Sequence, residues 1–312
     1  MLALVRSGDA EAGVALREGP EPEPAPDEAI VAVRAVSLNR GELSLLRIRP
    51  DGWRPGQDVA GVILRPAADG SGPPEGAAVG AWVDQAGWAE RVAAPTSRMV
   101  ALPETVPVEA AATLPVAGLT ALRTLRIGGQ LLGQRVLITG AAGGVGRFAV
   151  QIAAMLGAEV VAVARNAERA SGLDGLGAAK VVHDVESAAG PFDLILESAG
   201  GPSLSAAVDR LSEHGVLVVF GNSSKEPTEI RFEAISGLAR IQAFRIYESG
   251  EPPPFGADLA RLVSLLASGR LRAEIGFQGS WRDPGPALHA LRDRRVNGKA
   301  ILRVVAAEEV AG

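Results

Sequence analysis

Apolar residues in this chain fall into two textures. Over the first hundred positions they come in short runs cut by Gly and Pro: Ala29–Leu38 (AIVAVRAVSL), Val59–Leu64 (VAGVIL) after the Pro55-Gly56 turn, then Ala81–Val83 and Trp88–Val92. Short strands punctuated this way predict a mainly β, barrel-like lobe. Arg65–Gly80 is polar and rich in Pro and Gly, and reads as a surface loop. From about Glu109 the texture changes. Ala110–Leu125 has helical spacing despite Pro115 and Gly118. Strand patterns then follow at Arg135–Thr139, Glu159–Ala164, Lys180–His183, Phe192–Glu197 and Gly215–Phe220. They alternate with helical patterns at Gly144–Leu156, Ala167–Leu176 and Ser203–Leu211. That alternation predicts βαβ units and an α/β, doubly wound parallel sheet of the Rossmann kind. Asp258–Ser268 and Pro286–Arg294 read as helices and Lys299–Val304 as a closing strand.

Composition narrows the classes. With 312 residues the chain is long enough for two domains, and at 47% hydrophobic it can bury a large core. A net charge of −5 gives no electrostatic support for a nucleic-acid partner. No cysteine is present, which excludes disulfides, thiolate zinc sites and thiol catalysis and is compatible with the cytoplasm. The start, MLALVRSGDAEAG, is charged too soon for a signal peptide. No apolar stretch reaches the roughly 20 residues of a membrane span.

The segment Arg135–Gln151, RVLITGAAGGVGRFAVQ, carries the chemistry. An apolar strand runs into a Gly-rich turn and then an apolar helix, the opening of a dinucleotide-binding unit. The three glycine positions of the G-x-G-x-x-G fingerprint fall on Ala141, Gly143 and Gly146, so the strict pattern is not met; Gly140 stands in for the tight turn. Gly143 lets backbone meet a pyrophosphate, and Gly146 lets the helix pack closely on the strand. The alternative is a tight βα turn with no ligand. Roughly 20 residues on, an NAD site offers Asp or Glu to the ribose 2′-OH. Here EVVAVARNAER ends in Ala164 and Arg165, with Arg169 one turn later. A guanidinium suits a 2′-phosphate, because its planar fork donates two hydrogen bonds. The reading is therefore NADPH, against the alternative that both arginines are a solvated helix start.

With these residues in hand the chain resembles a medium-chain dehydrogenase/reductase of the zinc-independent quinone-oxidoreductase type. VRAVSLNRGEL, PGQDVAGVI, GWAERVAAP, AATLPVAGLTALRTL, ITGAAGGVGRFAVQIA, FDLILESAGG, GVLVVFGNSS and RVNGKAIL carry the likeness. The resemblance implies a Rossmann domain (residues 118–256) inserted in a mainly β GroES-like catalytic domain (1–117 and 257–312). It implies a homodimer joined through an edge strand near Ile241–Tyr247. Where zinc members of the superfamily carry G-H-E, this chain has Gly56-Gln57-Asp58, and its three histidines, His183, His214 and His289, are scattered. No set of about three converging ligands is visible, so no metal is expected.

The same resemblance implies the site. Gly140, Ala141, Ala142, Gly143, Gly144, Val145 and Gly146 would hold the diphosphate, and Arg165 and Arg169 the 2′-phosphate. Thr120 would lie near the nicotinamide ribose or phosphate. Ser198, Ala199 and Gly200, and after the next strand Phe220, Gly221, Asn222 and Ser223, would flank the cofactor. Asn39 would reach its nicotinamide side, and Lys299 and Asn297 would approach from the tail. Leu43, Leu46, Trp53, Phe244 and Tyr247 would rim a substrate pocket. Asn39 and Lys299 are the catalytic candidates. Hydride transfer needs chiefly position and a dry site. Reduction of an enone also needs a proton, for which solvent, Lys299, Glu42 or an Arg-organised water are the candidates. The function this implies is NADPH-dependent reduction of quinones or α,β-unsaturated carbonyls. Two alternatives stand: an enoyl-thioester or tailoring reductase of polyketide or secondary metabolism, and a catalytically idle NADPH-binding or partner-binding protein.

Overall fold

The computed structural model describes residues 1–234, 237–248 and 254–305. The chain divides into two compact units, residues 1–119 with 250–312, and residues 120–249.

In the first unit two strands precede those the apolar pattern predicts. β1 (Leu2–Arg6) and β2 (Val14–Glu18) pair antiparallel. β3 (Glu28–Leu38) is the long predicted strand. It pairs antiparallel with β4 (Asp58–Arg65), which pairs in turn with β5 (Ala78–Trp82). Between β3 and β4 lies a helix that the pattern missed, α1 (Arg40–Ile48). Two expectations shift. The Pro/Gly-rich loop ends at Ala77, because Ala78–Gly80 already pair with β4. The strand expected at Trp88–Val92 is β6 (Arg91–Pro95), which pairs with β3. β7 (Met99–Ala101) closes on β5.

The predicted helical stretch at 110–125 is three pieces: α2 (Val108–Ala112), a π-helical turn over Leu114–Gly118, and α3 (Leu119–Ile127). Pro115 explains the interruption, since it lacks the N–H an α-helix needs.

The second unit holds β8 (Arg135–Ile138), α4 (Gly144–Met155), β9 (Glu159–Val163), α5 (Ala167–Ala170) and β10 (Lys180–Val182). Then come β11 (Phe192–Glu197), α6 (Gly201–Val208), β12 (Leu211–Val219) and β13 (Arg240–Ala243). Among the described residues they form one parallel sheet in the order β10-β9-β8-β11-β12-β13. Numbered within the unit this is 3-2-1-4-5-6, the doubly wound dinucleotide order. α5 is shorter than the predicted Ala167–Leu176, because the chain leaves helical conformation at Ser171, with ψ 126°, and turns at Gly172, with φ +78°. Leu211, expected to end a helix, opens β12 instead.

The chain then returns to the first unit. α7 (Phe255–Ala267) is followed by β14 (Ile275–Ser280), α8 (Gly285–Arg292) and β15 (Lys299–Arg303). β15 pairs antiparallel with β3 and parallel with β14, completing the order β14-β15-β3-β4-β5-β7. Val31, Val36, Val59, Val79, Trp88, Trp281, Leu288 and Leu302 form the centre of this unit's core. Among the described residues no helix is long and apolar enough to cross a membrane.

Candidate functional site

The Gly-rich turn has the geometry its spacing predicts. Buried Thr139 ends the strand, and Gly140 follows with φ +59°, a left-handed conformation that favours glycine. The Gly143 N–H donates to the Gly140 carbonyl at 2.9 Å, and Gly143 caps α4. At Gly146 the helix crosses the turn so closely that a Cβ would sit 2.5 Å from the Ala141 Cα and 2.5 Å from the Gly140 carbonyl oxygen. Ala141 and Ala142 are buried, and the Ala141 N–H donates to the Val163 carbonyl at 3.1 Å. The first-turn amides of α4, including Gly144, Val145 and Gly146, have no intrahelical acceptor, and the helix dipole adds positive potential. A cradle of backbone donors with no Cβ at its closest point fits a diphosphate.

At the end of β9, Ala164 is buried and Arg165 is exposed. Asn166 caps α5 by accepting from the Arg169 N–H at 2.9 Å. No carboxylate occupies 164–166, and Glu168 follows in the first turn of α5.

Sequence reasoning missed the group that ties this ledge together. Glu197, fully buried at the end of β11, accepts from the Thr139 hydroxyl (3.1 Å), the Ala199 N–H (3.0 Å), the Gly200 N–H (2.9 Å) and the Ser203 hydroxyl (3.0 Å). The Ser198 hydroxyl donates to the Thr139 carbonyl at 3.2 Å. The Ser223 N–H bonds to the Ser198 carbonyl (3.1 Å) and the Ser224 N–H to the Ala199 carbonyl (2.7 Å). The Phe220 N–H donates to the Glu197 carbonyl at 2.9 Å, leading into Gly221. The Asn222 side-chain oxygen accepts from the Lys225 N–H at 3.2 Å, and a Cβ on Gly200 would lie 2.3 Å from that oxygen. Predicted residues 140–146, 198–200 and 220–223 therefore stand together at the carboxyl ends of β8, β11 and β12, where open α/β sheets bind ligands. The signal available was a carboxylate at the end of an otherwise apolar strand. Thr120 is buried at the start of α3, its carbonyl accepting from the Thr124 hydroxyl at 2.7 Å. Phe244 is buried just past β13, while Tyr247 is 53% exposed. A cavity of about 530 Å³ between residues 186–191 and 209–210 lies at the opposite end of β11. The Arg210 guanidinium beside it is already bonded to the Glu186 and Ala188 carbonyls.

The first unit holds a second polar group, built from β3, α1, β4 and β15. Lys299, 4% exposed, sends its ammonium to the Asn39 side-chain oxygen (2.5 Å), the Asp58 carboxylate (3.1 Å) and the Leu38 carbonyl (3.2 Å). Asp58, fully buried, also accepts from the Asn39 amide nitrogen (2.9 Å) and the Val116 N–H (2.7 Å). Glu42, fully buried on α1, accepts from the Asn39 N–H (2.8 Å) and the Gln57 N–H (2.9 Å). Burial pushes the Glu42 carboxyl up to about 8, and the Asp58 charge adds to the rise. The Asn39 N–H, the Lys299 ammonium and the Gln57 N–H oppose it. Leu43 and Trp53 pack against the core, and the Trp53 indole N–H donates to Gln85 at 2.8 Å. Glu42 follows Asn39 by three residues, the spacing of a helix cap, and that spacing could have flagged it.

Gln57, at the position of the zinc ligand in metal-dependent relatives, is buried with its N–H on Glu42. Among the described residues, no three His, Cys, Asp or Glu side chains converge as a metal site.

Comparison with known proteins places the chain in a family. Residues 144–264 match the zinc-binding dehydrogenase model. That span leaves out Gln57 and so does not bear on a metal. The chain is 34% identical over 303 residues to the spectinabilin polyketide synthase system protein NorB of Streptomyces orinoci; the match covers 92% of this chain but only 14% of that protein. It is 32% identical over 237 residues to the chloroplast envelope quinone oxidoreductase homolog of Arabidopsis thaliana, covering 68% of this chain and 71% of that one. The structure of mycobacterial Rv1454c complexed with NADPH superposes with a TM-score of 0.88 at 22% identity, covering 97% of this chain and 100% of that one. The fold is that of the quinone oxidoreductases. The chain belongs to the medium-chain dehydrogenase/reductase superfamily, in its quinone-oxidoreductase-like group.

Proposed function

We propose that this protein is an NADPH-dependent reductase of quinones or α,β-unsaturated carbonyls, working without zinc. The observation that carries the proposal is the Gly140–Gly146 cradle followed by Arg165, with no carboxylate at residues 164–166. NADPH, when bound, supplies the hydride. The chain's own part is to hold and orient: amides of the α4 start for the diphosphate, and Arg165 with Arg169 for the 2′-phosphate. Thr120 and the 198–200 and 220–223 turns serve the nicotinamide half, and Asn39 the reacting end. Leu43, Trp53, Phe244 and Tyr247 are the proposed substrate contacts. Lys299 and Glu42 are both buried and engaged, which favours water as the source of the proton. In this reading 1–117 with 257–312 form the GroES-like substrate domain and 118–256 the nucleotide domain.

A second reading, an enoyl-thioester reductase of polyketide or related metabolism, is favoured by the 34% identity to a polyketide synthase protein. NADPH oxidation assayed in parallel with free quinones, free enones and enoyl thioesters decides between them. No turnover on any of the three classes, with NADPH bound, contradicts both.

A homodimer joined along β13 belongs to the same proposal. β13 is the sheet edge, and Phe232, Leu238 and Ile241 near it are exposed. Sedimentation of wild type against Ile241→Lys tests it, with a dimer expected to become a monomer. Cytoplasmic residence, with which the lack of cysteine is compatible, completes the proposal.

A further inference from the structure

The orientation of the Asn39 carboxamide follows from what its neighbours can do. Lysine only donates, so the Lys299 ammonium must face the Asn39 oxygen, at 2.5 Å. A carboxylate only accepts, so Asp58 must face the Asn39 nitrogen, at 2.9 Å. A flipped amide would lose both bonds. The three Lys299 N–H directions are spent on Asn39, Asp58 and the Leu38 carbonyl. Asp58 is spent on Asn39, Lys299 and the Val116 N–H. Lys299 and Asp58 are buried, whereas Asn39 is half-buried and is the member of the trio that reaches the surface. Of the two amide hydrogens on Asn39, one goes to Asp58, and the other has no partner among the described residues.

We propose that Lys299 and Asp58 are positioning residues that lock the Asn39 carboxamide so that its second N–H is presented to a carbonyl oxygen. The ammonium on the amide oxygen also strengthens the N–H as a donor, since hydrogen bonds in series polarise one another. Lys299 thus acts through Asn39 and not as a proton donor. The carbonyl belongs either to the substrate or to the carboxamide of the nicotinamide. The inference rests on the reductase reading for its ligand, but the locked amide stands on the geometry alone.

The test is a double-mutant cycle on kcat/KM with a parallel NMR measurement on the apoprotein. Asn39→Ala should lower kcat/KM on the order of 100-fold, the loss typical of one preorganised donor. Lys299→Met should cost about as much, and the double variant no more than Asn39→Ala, because residues acting through one another are non-additive. A loss in kcat/KM with unchanged NADPH affinity assigns the N–H to the substrate carbonyl; a loss of NADPH affinity assigns it to the nicotinamide carboxamide. Multiplicative losses would show that Lys299 acts on its own and would overturn the proposal. In the NMR arm, the two side-chain amide protons of Asn39 should exchange at unequal rates in wild type, the one on Asp58 more slowly, and become alike in Asp58→Ala. Equal rates in wild type, or rates unmoved by Asp58→Ala, overturn the proposal without any turnover. Wild type that turns over no acceptor sinks the reductase reading instead, and the NMR arm then decides alone. If Lys299→Met does not fold, Lys299→Gln, which keeps an N–H but not the charge, takes its place in the kinetic arm.

Discussion

The Lys299 ammonium lies 3.1 Å from the Asp58 carboxylate, joining β15 to β4 across 241 residues of sequence with both side chains buried. Two ends of the first unit are thus clamped by a charge pair that water does not screen. Removing one partner of such a pair leaves a buried charge unpaired and costs about 3–5 kcal/mol. Lys299→Met should therefore lower the denaturation midpoint markedly. Asp58→Asn, which strands the Lys299 ammonium, should lower it as well. Urea unfolding of the two variants checks this, and stability equal to wild type in both would contradict the clamp.

Glu42 gives the fold a pH signature. Its folded-state value of about 8 stands above the ordinary 4.5. The folded protein therefore binds more protons than the unfolded chain between those values. The stability this contributes is fully present below about 4.5 and is lost as pH rises through 8. The melting temperature of wild type should fall on going from pH 5 to pH 9. In Glu42→Gln, which has no titrating group there, the slope should flatten. A parallel decline in both proteins would remove Glu42 from the account.

Gly146 tests the cradle itself. A Cβ there would overlap the backbone at Ala141 and Gly140, atoms that cannot step aside cheaply. Gly146→Ala should push α4 off the turn and weaken NADPH binding at least tenfold. Gly143→Ala, whose Cβ would meet only the Gly140 carbonyl oxygen, at 3.3 Å, should keep the fold. Calorimetric titration of both variants against thermal melts separates loss of site from loss of structure.

Glu197 offers a different handle on the same ledge. Four donors converge on its buried carboxylate, so removing it strands them, at roughly 1–3 kcal/mol for each buried group left unmet. Glu197→Ala should lose several kcal/mol of stability and bind NADPH more weakly. Glu197→Gln, which turns one accepting atom into a donor, should fall between it and wild type. A Glu197→Ala protein with wild-type stability would contradict the network.

Much of the second unit was legible. β8, α4 and β11 have uninterrupted apolar runs or strong helical spacing, and their bounds differ from expectation by a residue at most. Elements whose pattern is diluted were not legible. β14 carries Gly276 and Gly279 and buries only alternate residues in part, so no apolar run marks it. α1 opens with Arg40 and Gly41 and buries only Glu42 and Leu46 fully, so its inward face begins with a carboxylate. The same buried acid hid part of the polar site. Asn39 and Lys299 were visible through family likeness and Glu42 was named as a proton candidate, but Asp58 takes its meaning from strands brought together by folding. That long-range pairing is not encoded in local spacing.

The reductase reading requires an NADPH diphosphate at the start of α4 with a guanidinium for its 2′-phosphate. Calorimetric titration of the purified protein with NADPH and with NADH, repeated on Arg165→Ala, tests it most directly. Wild type should bind NADPH saturably and at least tenfold more tightly than NADH, and Arg165→Ala should erase most of that preference. A charge-assisted hydrogen bond of about 1.5–3 kcal/mol corresponds to a factor of about 10 to 100. Absence of saturable NADPH binding in wild type would contradict the claim outright.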